Sequence, residues 1–302
     1  MARLDLTEAN GWIAEEHTGP VVAEVNAQSA IEAVARRIKM NSDAVAVPRL
    51  IGDEPDIIAE GAQYTEAAAT FDDVTLVAKK FGNLYHISEE DVQDSFVDVL
   101  NEFKLDFARG FARKYDNAAL GTTAAANGGT VPFESVYRAV SQYNSASNRI
   151  QTNGPIVLDD LSNALGIVEV GNYWSDSDTV VIAHPSLRGS LRVMEDSNGN
   201  LVQQYSDPLG KTRETMFGYN LVWSYGARTS ATATSNPSGN PLVIVGSRRL
   251  LLNGVRSGPE SLVSRDAEFR TDGVLLKTRA RRAFAVAKPE AFSVVEVTPV
   301  TP

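Results

Sequence analysis

Cysteine is absent from this 302-residue chain, and histidine is scarce. Without thiols the protein has no disulfide, no thiolate zinc site and no cysteine nucleophile, a composition that suits a reducing cytoplasm. The three histidines, His17, His86 and His184, are far apart in the sequence, which argues against histidine-rich metal sites and Ser-His-Asp triads. Several common routes to metal-dependent and nucleophilic catalysis are therefore disfavoured.

Long apolar runs and excess basic charge are also missing. No uncharged apolar segment approaches the roughly 20 residues that a membrane-spanning helix needs, and the N-terminus has no signal-peptide pattern. The formal net charge of -10 argues against extensive binding to nucleic acid phosphates. Gly61 and the Gly128-Gly129 pair lack the lysine and the spacing of a phosphate-binding loop. We expect a protein that stays inside the cell that makes it and has no membrane partner.

Three short motifs resemble metal-binding or catalytic sites, but the local sequence of each favours a structural role. Residues 196–207 place oxygen side chains at several calcium-loop positions, but Leu201 stands where an EF-hand needs glycine, so a hairpin turn is preferred. The acidic residues between 89 and 94 suit a helix N-terminus without any metal. His184-Pro185-Ser186 has the form of a strand-to-helix turn and lacks a nucleophile-elbow sequence. We therefore predict no catalytic residue, no metal ligand and no cofactor, and do not expect an enzyme.

The C-terminal third contains one basic cluster. On an alternating strand Arg279 and Arg281 share a face, while Arg282 points the other way. Because the whole chain is acidic, we expect these side chains to be solvated or to form ion pairs between subunits, and not to read a nucleic acid sequence.

Two segments near the N-terminus have the alternating pattern of strands with one buried face. They run from Asp43 to Leu50 and from Val74 to Ile87, with a small-residue, acidic segment between them. A two-stranded ribbon is marginally stable by itself in water, so we expect this hairpin to project from its subunit and to be covered by a neighbouring copy. The residues expected to make that contact are Glu60, Gly61, Tyr64, Phe71, Val74 and Leu76.

A long amphipathic helix is predicted from Glu89 to Leu120, with Ser88 and Asp91 resembling a capping box and Gly121 as its stop. Its length is roughly 48 Å at about 1.5 Å per residue. Apolar residues at steps of three and four form one stripe, which we expect to face the rest of the subunit. The core residues of this stripe are Phe96, Leu100, Phe103, Phe107 and Phe111. The acidic residues expected on the opposite side are Asp98, Glu102 and Asp106.

The remaining sequence mixes helical and strand patterns, which predicts the α+β class. Helical spacing covers Ser29 to Met40, following a short strand pattern at Pro20 to Val25. After the long helix, further helices are predicted at 134–143, 159–170 and 185–194. Strands are predicted at 179–183, 221–223, 242–245, 273–288 and 292–297.

The order of these elements resembles the major capsid proteins of tailed bacteriophages, which have the Hong Kong ninety-seven fold. The first half of the resemblance consists of Glu60-Gly61, Thr70-Phe71, the strand from Val74 to Lys80, and Ile87-Ser88-Glu89-Glu90 opening the helix. The second half consists of Ala183-His184-Pro185, Asn198-Gly199-Asn200, Gly218 to Val222 and Val263 to Asp266. No single motif is specific, but their order and spacing are.

The resemblance implies a division of the chain into the parts of that fold. Residues 1–43 correspond to an N-terminal arm and 44–88 to the extended loop. Residues 89–146 and 262–288 correspond to the peripheral domain, whose spine is the long helix. Residues 147–261 correspond to the axial domain, with 289–302 as a C-terminal axial segment.

The resemblance also implies the function. It is that of a shell subunit that assembles with itself as pentamers and hexamers, in the host cytoplasm, around the double-stranded DNA of a tailed phage. The alternatives are an encapsulin-type shell around cargo enzymes and, with less support, a free-standing enzyme. An arm that begins almost at Met1 leaves no room for a fused scaffold, so a separately encoded scaffolding protein, or none, is expected, with a portal and a possible decoration protein.

Two features of the sequence modify what the resemblance implies. Between Glu60 and Val77 there is no lysine, and the matching strand has Asp272 and Arg279, so the Lys–Asn isopeptide cross-link of some relatives is not expected. An acidic subunit should contact packaged DNA weakly and without sequence preference, because tight binding through many basic residues would hinder release. Acidic residues of the spine helix and arm are accordingly expected on the inner surface.

Overall fold

The computed structural model describes residues 29–51, 57–61, 63, 70–90, 99–195, 199, 203–206, 213–268 and 271–298. The helices of these residues are α1 (Ala30–Val34), α2 (Val99–Leu120), α3 (Val136–Asn144), α4 (Leu158–Glu169) and α5 (Arg188–Arg192). The first strands are β1 (Arg36–Lys39), β2 (Ala44–Ile51), β3 (Thr70–Val77), β4 (Lys79–Ser88), β5 (Arg149–Asn153) and β6 (Thr179–Ala183). The later strands are β7 (Gln203–Ser206), β8 (Arg213–Met216), β9 (Tyr219–Trp223), β10 (Leu242–Ser247), β11 (Leu251–Glu268), β12 (Gly273–Val286) and β13 (Phe292–Thr298).

A mixed seven-stranded sheet forms the centre of one half of the subunit, with the order β5-β13-β10-β6-β9-β8-β7. Its central strands β6 and β10 are buried along their whole length, which explains their continuous apolar sequences. Helix α4 packs on this sheet through Leu161, Leu165 and Val168. The helix begins at residue 158, where Asp160 accepts a hydrogen bond from the backbone nitrogen of Val157 at 3.1 Å.

A four-stranded sheet, with the order β1-β11-β12-β4, supports the long helix α2. Strands β11 and β12 form an antiparallel pair of 18 and 14 residues, and β4 extends the sheet on the far side of β12. One apolar cluster fills the space between α2, this sheet and the inner strands of the other sheet. The predicted α+β class is therefore confirmed, whereas the domain boundaries stay predictions.

The strand predicted from Val74 to Ile87 is wrong, because it is two strands in two different sheets. Strand β3 pairs with β2, and after Ala78 the chain continues as β4 at the edge of the four-stranded sheet. The less exposed residues of β3 have even numbers, as at Leu76, whereas those of β4 have odd numbers, as at Phe81 and Ile87. This change of phase at Ala78 was visible in the sequence and marks where the chain passes between sheets.

The helix predicted from Ser29 to Met40 is also wrong in extent. Helix α1 ends at Val34, and residues 36–39 form β1, which pairs in parallel with β11. Backbone hydrogen bonds to the edge of β11 replace those of a longer helix, and Met40 continues the pairing by donating to Val255 at 2.9 Å. The predicted strand at Pro20 to Val25 lies outside the described residues.

The other long elements agree with their sequence patterns. The predicted helices at 134–143 and 159–170 correspond to α3 and α4, and the apolar segments 179–183 and 242–245 are strands β6 and β10. The segment 185–194 is a 3-10 turn followed by the short helix α5. Among the described residues, no helix is long and apolar enough to cross a bilayer.

Candidate assembly surfaces

The extended hairpin of β2 and β3 is the most distinctive feature of the subunit. Its eight residue pairs run without interruption from Ala44 opposite Val77 to Ile51 opposite Thr70. At about 3.3 Å per residue the ribbon is about 26 Å long. It forms a two-stranded sheet of its own, as the sequence predicted.

The base of the hairpin is held by its own subunit, which corrects part of the prediction for this loop. Leu76 is 0% exposed and packs in a cluster with Met40, Leu252 and Ala283, with Val74 partly buried beside it. These partners come from the four-stranded sheet and the segment before the hairpin. Leu76 is therefore not available to a neighbouring subunit, because its own sheet already covers it.

Polar contacts reinforce the same base. The guanidinium group of Arg49 donates to the carbonyl oxygen of Ala287 at 2.6 Å and forms an ion pair with Asp72. The hydrogen bond from Arg49 lowers the pKa of Asp72. Asp43, immediately before β2, forms an ion pair with Arg256 at 2.8 Å. The first half of the hairpin is thus fixed in direction relative to the subunit.

We expect the Leu76→Ala substitution to destabilise the unassembled subunit by about 2–4 kcal/mol, because a fully buried leucine is lost from a packed cluster. Ile57→Ala at the tip is the matched control and should change the free energy of unfolding by less than about 0.5 kcal/mol. Urea denaturation of the unassembled protein measures both. Equal stability of the Leu76 variant and the wild type would contradict cover by the same subunit.

The tip of the hairpin differs from its base in exposure. The Ile57 side chain is fully exposed at 103% of its reference area, and Glu60 and Gly61 are also exposed. Gly61 has a φ of +80°, a conformation that favours glycine in the turn that follows Glu60. Tyr64 lies outside the described residues, as does the side chain of Phe71. Contact of Glu60, Gly61 and Val74 with a neighbour stays a prediction.

Helix α2 buries the aromatic stripe that the sequence predicted. Phe107 and Phe111 are 6% and 5% exposed, and their ring centroids are 6.1 Å apart. Phe81 of β4 packs edge-on against Phe111 at 5.4 Å. Phe107 and Phe111 therefore face the rest of the subunit, as predicted.

The N-terminal part of the stripe is less buried. Phe103 is half-buried and stacks on Tyr85 of β4 with 4.7 Å between ring centroids, and Leu100 is half-buried as well. Phe96 and Asp98 lie outside the described residues, together with the capping residue Asp91. On the other side of the helix, Asp106 is exposed and Glu102 is partly exposed. Whether these acids face the inside of a shell stays a prediction.

A buried carboxylate near the C-terminal end of α2 joins three parts of the chain, and the sequence patterns did not identify it. Asp116 accepts hydrogen bonds from the hydroxyl groups of Ser29 at 2.5 Å and Ser224 at 2.7 Å. It also accepts from the backbone nitrogens of Ala30 at 2.8 Å and Ile31 at 3.3 Å. Burial raises the pKa of Asp116 to about 6, although these hydrogen bonds oppose the rise. A single side chain thus links the N-terminal segment, the spine helix and the loop after β9.

The neighbouring residue strengthens the same junction. Asn117 donates from its side-chain amide to the carbonyl oxygens of Gly226 at 3.1 Å and Arg228 at 3.0 Å. A Cβ atom on Gly226 would lie 2.4 Å from the backbone nitrogen of Asn117, so only glycine allows this approach.

Of the other motifs considered in the sequence, His184-Pro185-Ser186 has a structural role. The Nδ1 atom of His184 accepts a hydrogen bond from the backbone nitrogen of Ser186 at 3.1 Å, which confirms the strand-to-helix turn. Burial lowers the pKa of His184 to about 4, so the ring is neutral at pH 7. The described part of the chain contains no group of three or more residues suited to hold a metal ion. The calcium-loop segment 196–207 lies largely outside the described residues.

The basic cluster forms ion pairs within the subunit, which corrects the expectation of pairs between subunits. Arg282 is buried and pairs with Glu32 at 2.7 Å, so it joins β12 to helix α1. Arg279 pairs with Glu260 across the β11–β12 pair at 3.0 Å. The partners lie on adjacent elements of the same fold, a proximity that the sequence did not reveal.

The fold is typical of structural shell subunits, because it combines a long spine helix, a projecting hairpin and two larger sheets. Comparison with known proteins identifies the family. The model of the phage capsid family matches residues 10–297, and the chain belongs to this family. It is a major capsid protein, a structural component of the virion shell.

Solved structures share the fold at low sequence identity. A chain from Mycobacterium phage Bobi is 18% identical, covers 100% of both chains and has a TM-score of 0.72. A chain from Microbacterium phage Oxtober96 is 20% identical over 99% of this chain and 100% of that chain, with a TM-score of 0.68. A chain from the capsid of an empty GTA particle is 14% identical over 97% and 98% of the two chains, with a TM-score of 0.67. The curated proteins include no significant match. These findings do not favour the encapsulin alternative.

Proposed function

We propose that this subunit acts by geometry and without catalysis, by forming pentamers and hexamers that close into an icosahedral shell around double-stranded DNA. The observation that carries the proposal is the hairpin, whose base is fixed in its own subunit while its tip is exposed. A fixed base directs the tip away from the body, and the exposed Ile57 is suited to reach a neighbouring copy. Closed rings with such head-to-tail contacts need the same two surfaces on every subunit.

The proposal includes partners beyond the subunit itself. Each subunit should bury about 2,000–5,000 Å² against its neighbours, as permanent assemblies do. A separate scaffolding protein and a portal would set the size of the shell, and a decoration protein would be optional. Assembly would take place in the host cytoplasm. Contacts with DNA should be weak and unspecific, because the chain has an excess of acidic residues.

Deletion of residues 53–69 tests the role of the tip. We expect this variant to fold with nearly wild-type stability, because Leu76 and Arg49 still hold the base, but to fail to form particles. Negative-stain electron microscopy and analytical ultracentrifugation of the expressed protein, with its scaffold where one is encoded, measure assembly. Particles of normal number and stability from the deleted protein would contradict the proposal for the tip. A wild-type protein that stays monomeric under all of these conditions would contradict the shell function itself.

A further inference from the structure

Charge is distributed very unevenly along the chain. Residues 52–73 include seven acidic side chains and no lysine or arginine, and residues 1–28 include five acidic side chains and one arginine. The rest of the chain has 26 acidic and 27 basic side chains. The loop between β2 and β3 carries five of the seven acids of residues 52–73 and no basic side chain, and the other two, Asp72 and Asp73, lie in β3 next to the fixed base.

A cavity of about 520 Å³ lies at the base of the hairpin, between the start of β4 and helix α2. We name it the lysine cavity, because Lys79, Lys80 and Lys114 line it, with Asp106 as one carboxylate. Thr130, Thr232 and Ser235 also line it. In the part of the chain that the structure describes, none of the three lysines has a carboxylate within ion-pair distance. The cavity thus has a net positive charge that the described subunit leaves uncompensated.

The wall of the cavity next to Lys79 has a defined conformation. Gly128 has a φ of +75°, and a Cβ atom there would lie 3.0 Å from the Nζ atom of Lys79. The side-chain oxygen of Asn127 accepts from the backbone nitrogens of Gly129 at 2.9 Å and Val131 at 3.0 Å, which closes the turn. A neighbouring cavity of about 700 Å³ shares Lys79 and Gly128 but lacks Lys80 and Lys114. The concentration of amino groups is a feature of the smaller cavity.

We propose that the lysine cavity receives the acidic loop of a second copy of this chain. The two surfaces are complementary in charge, and a subunit cannot supply its own loop directly, because Lys79 lies at the base of the same hairpin. The eight paired residues of β3 place the start of the loop about 26 Å from Lys79. This inference rests on the proposed shell function and adds the receiving surface for the tip.

Charge reversal on each side, followed by their combination, tests the pairing. We expect the cavity variant K80E/K114E and the loop variant D53K/D56K each to reduce the yield of particles at least tenfold. The circular dichroism spectrum and the unfolding midpoint of the unassembled subunit should stay unchanged in each variant. Lys80 and Lys114 are both exposed, so their reversal removes no packed side chain. The combined four-residue variant should regain at least half of the wild-type yield.

Two controls make the result specific. Reversal of Lys277 and Arg192, both exposed and outside the cavity, should leave the yield within twofold of the wild type. Combination of K80E/K114E with E8K/E15K tests the acidic segment 1–28 as the occupant. Rescue by E8K/E15K, or normal assembly of the K80E/K114E variant, would overturn the inference. The shell function would stand in either case, because it depends only on assembly of the wild-type protein.

Cross-linking with a carbodiimide identifies the contact directly. The reagent joins a lysine amine to a carboxyl group as an amide, with loss of water and conversion of the reagent to its urea. We expect particles assembled from a mixture of unlabelled and ¹⁵N-labelled chains to give mixed-label peptides that link Lys80 or Lys114 to residues 53–60. Links from these lysines found exclusively within one chain, or to residues 1–28, would contradict the proposed occupant.

Discussion

Replacement of Asp116 by alanine should lower the free energy of unfolding of the unassembled subunit by about 3 kcal/mol or more. The substitution removes the acceptor for two hydroxyl groups and two backbone nitrogens in a buried site. Each buried donor left without a partner costs about 1–3 kcal/mol, partly offset because the carboxylate no longer has to be buried. Asp116→Asn should cost about half as much, since one oxygen remains and Ser224 can rotate to accept from the amide. Urea denaturation at pH 7 measures both variants.

The same residue should give a distinctive pH dependence. Its pKa is about 6 in the folded subunit and near the ordinary aspartate value of 3.8 in the unfolded chain. The folded state therefore binds this proton more tightly, so the contribution of Asp116 to stability falls as the pH rises from about 4 to about 6. A difference of two pKa units corresponds to about 3 kcal/mol as an upper estimate.

Asp116→Asn is the reference for that titration because the amide does not ionise. The stability of the wild type minus that of the Asn variant should decrease between pH 4 and pH 7. The contribution of Glu296 to stability has the opposite pH dependence. Burial alone would raise its pKa, but hydrogen bonds from Asn240, Tyr137 and Arg149 lower it below its ordinary value. Its stabilisation is lost as the pH falls, equally in both proteins. A difference that stays constant or increases with pH would contradict a raised pKa for Asp116.

Phe111→Ala should have the second large effect, a loss of about 3–5 kcal/mol in the free energy of unfolding. Phe111 lies in the middle of a continuous aromatic cluster, 5.4 Å from Phe81 and 5.8 Å from Tyr115 between ring centroids. Removal of its ring leaves a cavity between the spine helix and the four-stranded sheet. The backbone on both sides is held by regular hydrogen bonds and cannot collapse to fill this cavity.

Phe103→Ala is the matched control on the same helix face. Phe103 is half-buried and stacks on Tyr85, so its removal should cost about 1–2 kcal/mol. Chemical denaturation of the unassembled subunit separates the two variants. Similar losses for Phe103 and Phe111 would show that the two ends of the stripe are equally buried.

The sequence was most informative where one residue pattern corresponds to one packing environment. The stripe through Phe107 and Phe111 matches the helical repeat and is buried on one face. Continuous apolar segments such as 242–245 are buried strands at the centre of a sheet. The hairpin was also predicted, since alternating strands on both sides of a polar segment favour antiparallel pairing.

The sequence was less informative where one residue pattern fits two partners. The apolar side of the hairpin base was expected to meet a neighbouring subunit, yet Leu76 is covered by its own sheet. Alternation indicates that a face is buried but does not indicate what buries it. The same reason applies to Arg282, whose partner Glu32 is 250 residues away in the sequence.

The sequence by itself determined the class of the protein. The features that indicate this class are the absence of thiol and histidine chemistry, the acidic loop, the spine helix and the order of elements typical of capsid subunits. Those features depend on composition and on contacts between nearby residues. The tertiary structure decided which surfaces remain free, how Asp116 joins three distant segments, and where Lys79, Lys80 and Lys114 come together. These properties depend on long-range proximity, which arises only when strands from both ends of the chain pair in the same sheet.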